Sequence, residues 1–277
     1  MENLPRPKKI LITGAHGLIG NLVYTRLAAQ PEAYAPYGMV RRLQPSPRAE
    51  AMPFQVIPAE RLRLADLTDY PAVQQAVEGI DTVVHMAADP SGSAGWESIL
   101  DNNIRGAYHI FEASRLAGVK RVIYASTNQV VFGYLREEPY TSLFARGREN
   151  LAPGDLPRIH HTQPTKPLNY YACSKVFGES LAYMYAHTHD MSCICLRIGW
   201  VLSDDQVPDR RASGIWCSQR DIVQLVERCI NATHSLRFDV FFGHSDNRYN
   251  LVDIQHARDV LGYEPQDRAE DRLKEQP

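Results

Sequence analysis

A glycine-rich turn near the start of the chain is the feature that most constrains its fold. It lies between an apolar, strand-like run at 9–13 and a predicted helix at 18–29, and reads Thr13-Gly14-Ala15-His16-Gly17-Leu18-Ile19-Gly20. A strand, a tight turn and a helix N-terminus make an anion site, because unpaired backbone N–H groups and the helix dipole face the anion. Gly14 allows the turn, Gly17 lets backbone approach a pyrophosphate, and Gly20 lets helix and strand pack closely. The context favours dinucleotide binding over an ordinary glycine-rich turn.

Further strands and helices are predicted to alternate along the chain. Strands are expected at 38–40 (the end of the second strand), 62–65, 81–84, 120–125 and 192–198, and helices at 70–78, 96–116 and 170–187. Such alternation predicts an α/β fold with a doubly wound parallel sheet of the Rossmann type. The exception is 133–168, which contains prolines and arginines. A loop of that length is either functional or poorly ordered.

A tyrosine and a lysine on the predicted helix at 170–187 are the candidate catalytic residues. Tyr171 and Lys175 are four residues apart, which places both side chains on one face. A nearby ammonium favours the ionised phenol and lowers its pKa, and an oxidised nicotinamide adds to this effect. Tyr171 is therefore predicted to take a proton from a substrate hydroxyl while hydride leaves the same carbon. The alternative is an inert packing tyrosine.

Together, the glycine fingerprint TGxxGxxG and the YxxxK pair resemble the extended short-chain dehydrogenase/reductase family. The resemblance implies a catalytic hydroxyl at Thr127, with Ser126 as the alternative. It implies that Lys175 also holds the nicotinamide ribose, that Asn103 supports the lysine through water, and that Asp66 contacts the adenine. The implied cofactor contacts are Gly14, His16, Gly17, Leu18, Ile19, Arg41, Asp66, Leu67, Met86, Ala87, Ala88, Asn103 and Lys175.

The choice between NAD and NADP depends on the residues after the second strand. Arg41 and Arg42 stand where an acid would hold the ribose 2′-hydroxyl of NAD. Their guanidinium groups could bind a 2′-phosphate in bidentate fashion, which favours NADP. Two alternatives remain: the arginines are solvated, or Arg41 stacks on the adenine of NAD.

Motifs beyond the predicted strand at 192–198 resemble one branch of the family, the uronate dehydrogenases and the archaeal-type glucose-6-phosphate dehydrogenases. They are Arg197-Ile198-Gly199, Asp209-Arg210-Arg211, Trp216, Ser218-Gln219-Arg220-Asp221, Gly243-His244-Ser245-Asp246-Asn247 and Leu261-Gly262-Tyr263-Glu264-Pro265. The resemblance implies sugar contacts from Ser91, Thr127, Asn128, Tyr171 and Arg211, with Arg211 on a carboxylate. Gln129 and Trp200 occupy substrate positions where that branch has a histidine and a small serine.

Basic residues in the stretch 133–168 have two possible roles. They are Arg146, Arg148, Arg158, His160 and His161. They could clamp a substrate phosphate, or they could be solvated loop residues. No acidic or cysteine ligands accompany the two histidines at metal spacing, so we expect no metal site.

Composition narrows the classes of protein to which the chain can belong. The chain of 277 residues has a net charge of −2, 44% hydrophobic residues and five cysteines without a CxxC pair. These values give no reason to expect nucleic acid or membrane partners, and they favour a reduced, cytoplasmic protein. One unit is expected: residues 9–168 are mainly dinucleotide-binding core, 169–198 are the catalytic helix and next strand, and 199–277 are a small C-terminal substrate-binding elaboration.

The predicted function is an NAD(P)-dependent sugar dehydrogenase that oxidises a ring hydroxyl to give a lactone. The anomeric hydroxyl is the favoured position. Two rivals remain. One is a nucleotide-sugar epimerase or dehydratase, which returns the hydride; the other is a non-catalytic dinucleotide-sensing regulator. The family resemblance also implies a homo-oligomer.

Overall fold

A single parallel sheet organises the molecule. The computed structural model describes residues 6–49, 52–145, 152 and 154–273. All sheet pairings are parallel, and the strand order is β3-β2-β1-β4-β5-β6-β7. The strands are β1 (Lys8–Thr13), β2 (Tyr34–Val40), β3 (Leu62–Leu64), β4 (Thr82–His85), β5 (Arg121–Thr127), β6 (Ser192–Ile198) and β7 (Phe238–Gly243). This order confirms the predicted doubly wound fold.

Helices cover both faces of the sheet. They are α1 (Leu18–Ala28), α2 (Tyr70–Val77), α3 (Trp96–Ile99), α4 (Gly106–Leu116), α5 (Tyr140–Ala145), α6 (Tyr170–Thr188), α7 (Arg210–Ser213), α8 (Gln219–Asn231) and α9 (Gln255–Leu261). One core joins α1, α8 and α9 to residues such as Ile10 and Ile12 of β1. The other joins α2, α4 and α6 to residues such as Leu11. This alternation follows from the two-residue period of a strand, and both faces are apolar because both are covered.

The structure differs from the predicted elements at three places. The predicted helix at 96–116 is a helical run of α3, a π-helical segment Leu100–Arg105 and α4. The predicted loop at 133–168 is partly helical, because a 3-10 helix spans Asn128–Arg136 and α5 follows it.

The third difference lies in the C-terminal part. Residues 199–277 were expected to form a small elaboration, but they also supply the edge strand β7 and the covering helices α8 and α9. Among the described residues, no helix combines the length and apolar character needed to cross a bilayer.

Candidate active site

One cavity of about 920 Å³ opens at the carboxyl ends of the strands. It lies where the strand order reverses between β1 and β4, which is where open α/β sheets bind ligands. Its lining runs from the glycine turn to residues after β5 and β6. The predicted residues that line it are Gly14, His16, Gly17, Leu18, Ile19, Arg41, Asp66, Leu67, Met86, Ala87, Ala88, Thr127, Asn128, Gln129, Tyr171, Lys175 and Trp200.

The glycine turn has the geometry of a phosphate cradle. Gly14 has φ +67°, and a Cβ there would lie 3.0 Å from the backbone of Ala87. A Cβ on Gly20 would lie 2.2 Å from the carbonyl oxygen of Gly14. Gly17 precedes α1 and leaves the first turn without a side-chain cap, so backbone N–H groups are available to an anion in the cavity. The residues present therefore fit a dinucleotide.

A buried polar pair fixes the segment that passes under this cradle. The Thr13 hydroxyl lies 2.8 Å from Nδ1 of His85 and accepts a hydrogen bond from the Ala87 N–H at 3.0 Å. Burial, and secondarily the charge of Lys175, lowers the pKa of His85 to about 3, so this imidazole is neutral at physiological pH. Residues 86–88 are thereby held at the cavity wall.

The predicted catalytic groups meet at the far end of the cavity. Thr127 ends β5, whereas the prediction ended that strand at residue 125, and Tyr171 and Lys175 lie on α6. All three side chains are buried. Nζ of Lys175 lies 5.7 Å from the Tyr171 ring centroid and 5.0 Å from that of Tyr124. Lys175 donates no hydrogen bond to a described residue, so its ammonium is available to a ligand.

The pKa values differ from those expected from the sequence. Burial raises the pKa of Tyr171, and the hydroxyl of Thr127 only partly opposes this rise. Burial also lowers the pKa of Lys175 to about 7. Without a bound cofactor the pKa of Tyr171 is thus raised rather than lowered, because burial dominates and Lys175 is not among the groups that shift it. The predicted effect of Lys175 on Tyr171 stays a prediction.

Asn103 makes direct contacts rather than lining the cavity. Its Oδ1 accepts from the Asp89 N–H at 2.7 Å, and its Nδ2 donates to the Asp89 carbonyl and to the Ser174 hydroxyl, both at 3.0 Å. It lies in the π-helical segment, a conformation frequent at functional sites. Asn103 thus joins the segment after β4 to the catalytic helix, and its predicted support of Lys175 through water stays a prediction.

A buried ion pair fixes α6 against the strands. Arg197 donates to both carboxylate oxygens of Glu179, at 2.9 and 2.8 Å, and the Ser126 hydroxyl donates to the same carboxylate at 2.6 Å. Ser126 is therefore occupied by the ion pair, whereas the hydroxyl of Thr127, which also lines the cavity, is not. This arrangement favours Thr127 over Ser126 as the catalytic hydroxyl.

The substrate end combines polar and apolar side chains. Asn128 donates to His244 at 3.3 Å, and Gln129 accepts from Asn169 at 3.0 Å. Trp200 is 44% exposed, although its backbone pairs with that of Trp216. Two predicted sugar contacts, Ser91 and Arg211, are absent from the described lining. The lining residues that sequence reasoning missed, because they belong to no motif, include Arg48, Asp89, Phe132 and Ile215.

The cations at 133–168 do not gather at this cavity in the described part of the chain. Arg146 and Arg148 lie outside the described residues. Arg158 and His160 do not line the cavity, and Nδ1 of His160 lies 3.3 Å from Asp253. The phosphate clamp by these residues stays a prediction.

His161 forms a separate cluster with Asp239 and His256, whose ligand atoms lie within 4.8 Å of one another. The two imidazole rings are stacked at 3.7 Å with an interplanar angle of 11°. Histidine nitrogens bind metals through lone pairs in the ring plane, at about 2.0–2.1 Å for zinc. Two stacked rings cannot both direct such lone pairs to one ion, so this geometry suits packing rather than metal binding.

A glycine cradle at the switch point of a doubly wound sheet, with a Tyr/Lys pair beside it, defines the extended short-chain dehydrogenase/reductase class. The chain belongs to the NAD dependent epimerase/dehydratase family, whose model matches residues 10–223. The family resemblance found in the sequence is thereby confirmed.

Characterised relatives cover nearly the whole chain. The NAD-dependent glucose-6-phosphate dehydrogenase of Haloferax volcanii is 33% identical, and the alignment covers 93% of each chain. The L-arabinose 1-dehydrogenase (NAD(P)(+)) of the same organism is 30% identical over 94% of this chain and 96% of that protein. A mutant uronate dehydrogenase from Agrobacterium tumefaciens, solved in complex with NAD, is 29% identical with a TM-score of 0.75, covering 95% of this chain and 86% of that one.

Proposed function

We propose that this protein is an NAD(P)-dependent dehydrogenase that oxidises the anomeric hydroxyl of a sugar to a lactone. The observation that carries the proposal is the placement of Tyr171, Lys175 and Thr127 at one end of the cavity whose other end is the glycine cradle. The named relatives oxidise sugars or sugar phosphates, and they match over almost their full length.

In the proposed reaction, Tyr171 is the general base and Thr127 orients the reacting oxygen. The phenolate takes the hydroxyl proton, while the Thr127 hydroxyl donates to the developing carbonyl oxygen. Bound nicotinamide supplies the hydride acceptor. Lys175 would hold the ribose, and its charge together with that of a bound oxidised nicotinamide would favour the Tyr171 phenolate against the effect of burial. Because burial raises the pKa of Tyr171, oxidation should accelerate as the pH rises above neutral.

The lining at the substrate end supports a sugar. Phe132, Trp200 and Ile215 present apolar surface, whereas Asn128 and Gln129 present amides. Ligand sites combine apolar walls with a few polar groups that set orientation, and a sugar ring has apolar C–H faces and a polar edge. Trp200 also fills space, so we infer that it selects among sugars by the shape of the ring substituents.

The arginines after β2 support NADP as the preferred cofactor. Arg41 and Arg42 line the cavity directly beyond the end of β2. Arg41 lies 3.9 Å from Asp66 and 3.4 Å from Asn102, which places its guanidinium at the adenosine end. A planar guanidinium binds phosphate in bidentate geometry, so the pair suits a 2′-phosphate.

The test is the initial rate of reduced nicotinamide formation with NAD and with NADP. Glucuronate, galacturonate, glucose, glucose 6-phosphate, arabinose and UDP-glucose are offered one at a time to the wild type and to Tyr171→Phe. We expect net reduction with one sugar and a loss of about 10²–10⁴-fold in the variant, with cofactor binding retained. Tyr170→Phe is the matched control, because Tyr170 is adjacent and 58% exposed. Full activity of Tyr171→Phe, or cofactor binding without net reduction of either nucleotide, would contradict the proposal.

A further inference from the structure

The loop after β2 folds back onto the glycine turn. The Ser46 N–H donates to the carbonyl of His16 at 2.9 Å, and the Ala49 N–H donates to the carbonyl of Ser46 at 2.8 Å. Ala49 is buried, so the short helical turn Pro47–Ala49 is anchored beside the cradle. The side chain in the middle of that turn is Arg48.

Arg48 differs from its neighbour Arg41 in its contacts. Arg41 lies near Asp66 and Asn102. The Arg48 guanidinium has no hydrogen bond or ion pair with any residue in the described ranges, yet it lines the same cavity as Gly17 and Tyr171. Because the Ser46 N–H is bonded to the His16 carbonyl, the turn that carries Arg48 lies directly beside the glycine turn. The charge of Arg48 also lowers the pKa of Tyr171.

The glycine turn beside Arg48 also favours an anion. The first turn of α1 has no side-chain cap, so its N–H groups and the helix dipole face the lining. A guanidinium and an open helix N-terminus that share one cavity both favour an anion. The dinucleotide of the proposed function carries its pyrophosphate at the glycine turn, which matches the position of Arg48 beside that turn.

We propose that Arg48 is a cofactor-binding residue that holds the pyrophosphate, whereas Arg41 and Arg42 serve the 2′-phosphate. This inference rests on the proposed function, because it takes the cavity to bind NAD or NADP. The two roles can be distinguished by comparing the two cofactors. NAD and NADP share the pyrophosphate, and only NADP carries the 2′-phosphate. Loss of Arg48 should therefore weaken both cofactors equally, and loss of Arg42 should weaken NADP alone.

The experiment is calorimetric titration of the full-length protein with NAD and with NADP, without substrate. We expect Arg48→Gln to raise both Kd values about ten- to a hundred-fold, the range of a charged hydrogen bond. Arg48→Lys keeps the charge but loses the planar fork, so it should fall between wild type and Arg48→Gln. Arg42→Gln is the matched control on the same loop and should affect NADP only. Thermal unfolding of each variant checks that the fold is intact.

The outcomes distinguish this inference from the proposed function. Wild-type affinity of Arg48→Gln for both cofactors would overturn the role of Arg48, as would a loss confined to NADP. A raised KM for the sugar with unchanged cofactor Kd would overturn it too, because Arg48 would then be a substrate residue. Failure of the wild type to bind either cofactor would overturn both proposals.

Discussion

The two ends of the cavity are built in different ways. At the cofactor end, backbone geometry places the functional groups: the Gly14 N–H donates to the Met39 carbonyl, and the Ala87 N–H donates to Thr13. At the substrate end, individual side chains form the wall, with Gln129 held by Asn169 and Trp200 exposed. The cofactor end is thus set by strand order and glycines, and the substrate end by individual side chains.

The comparison implies different responses to mutation. A backbone cradle cannot accommodate an added methyl group without moving a strand or helix. A wall of individual side chains can change shape while the fold stays intact. Mutations of the glycine cradle at the cofactor end should affect both cofactor binding and folding. Mutations at the substrate end should affect the selectivity among sugars.

The largest effect is expected for Gly20→Ala at the cofactor end. The new Cβ would lie 2.2 Å from the Gly14 carbonyl oxygen and 3.0 Å from Ala15 Cα, so α1 must move away from the turn. We expect cofactor binding to weaken more than about 100-fold and stability to fall by about 1–3 kcal/mol, as for overpacking. Calorimetric titration and thermal unfolding measure the two effects.

Gly95→Ala is the control for this substitution. A Cβ added at Gly95 would meet no atom of the described residues within 4 Å, and Gly95 does not line the cavity, so the variant should bind cofactor like the wild type. Wild-type cofactor affinity of Gly20→Ala would show that the cradle is deformable, and the contrast between the two ends would fail.

The same contrast explains what the sequence could predict. The glycine turn, the strand at 192–198 and the Tyr171/Lys175 pair follow from local rules of turn conformation and periodicity. These segments form the cofactor end of the cavity and helix α6, and they lie in the structure where the sequence predicts them. Strand β7 was not predicted, because the motif at 243–247 begins only at its last residue and its place in the sheet depends on pairing with the distant strand β6.

Other features depend on contacts between distant residues. Arg48 and Asp89 reach the cavity because of how their loops fold, and neither belongs to a sequence motif. The raised pKa of Tyr171 depends on burial, which spacing along a helix does not reveal. The π-helical segment around Asn103 likewise arises within a run that has ordinary helical periodicity.

A smaller and more selective effect is expected for Trp200→Ser at the substrate end. Trp200 is 44% exposed and its backbone pairing survives the change, so stability should change little. Removing the ring should alter the ratio of kcat/KM between two sugars by about 10–200-fold, the range for one apolar group in a pocket. Steady-state kinetics on the sugar panel measure this ratio.

Trp96→Ser is the matched control, because Trp96 is 48% exposed and does not line the cavity. Cofactor Kd should be unchanged in both variants. An unaltered selectivity ratio in Trp200→Ser would remove Trp200 from the substrate wall.

The smallest expected effect concerns how the segment around residue 161 docks on the C-terminal part. His161 stacks on His256, its Nδ1 is buried without a partner among the described residues, and the Asp239 carboxylate accepts from His256. Burial, and secondarily the charge of His256, lowers the pKa of His161, with Arg197 acting in the same direction and Asp239 and Asp253 opposing it. The neutral imidazole is therefore favoured in the folded protein. The neutral His161 ring therefore stabilises the folded protein above pH 6.5, the pKa of histidine in the unfolded chain. This stabilisation is lost as the pH falls below that value.

His161→Phe keeps a stacked ring and removes this titration. Between pH 7.5 and 5.5, the wild type should lose about 1–2 °C more in Tm than the variant, as measured by calorimetric scans. The buried histidines His85 and His244 also have lowered pKa values, but they add the same pH dependence to both proteins. Equal losses would show that ionisation of His161 does not affect docking.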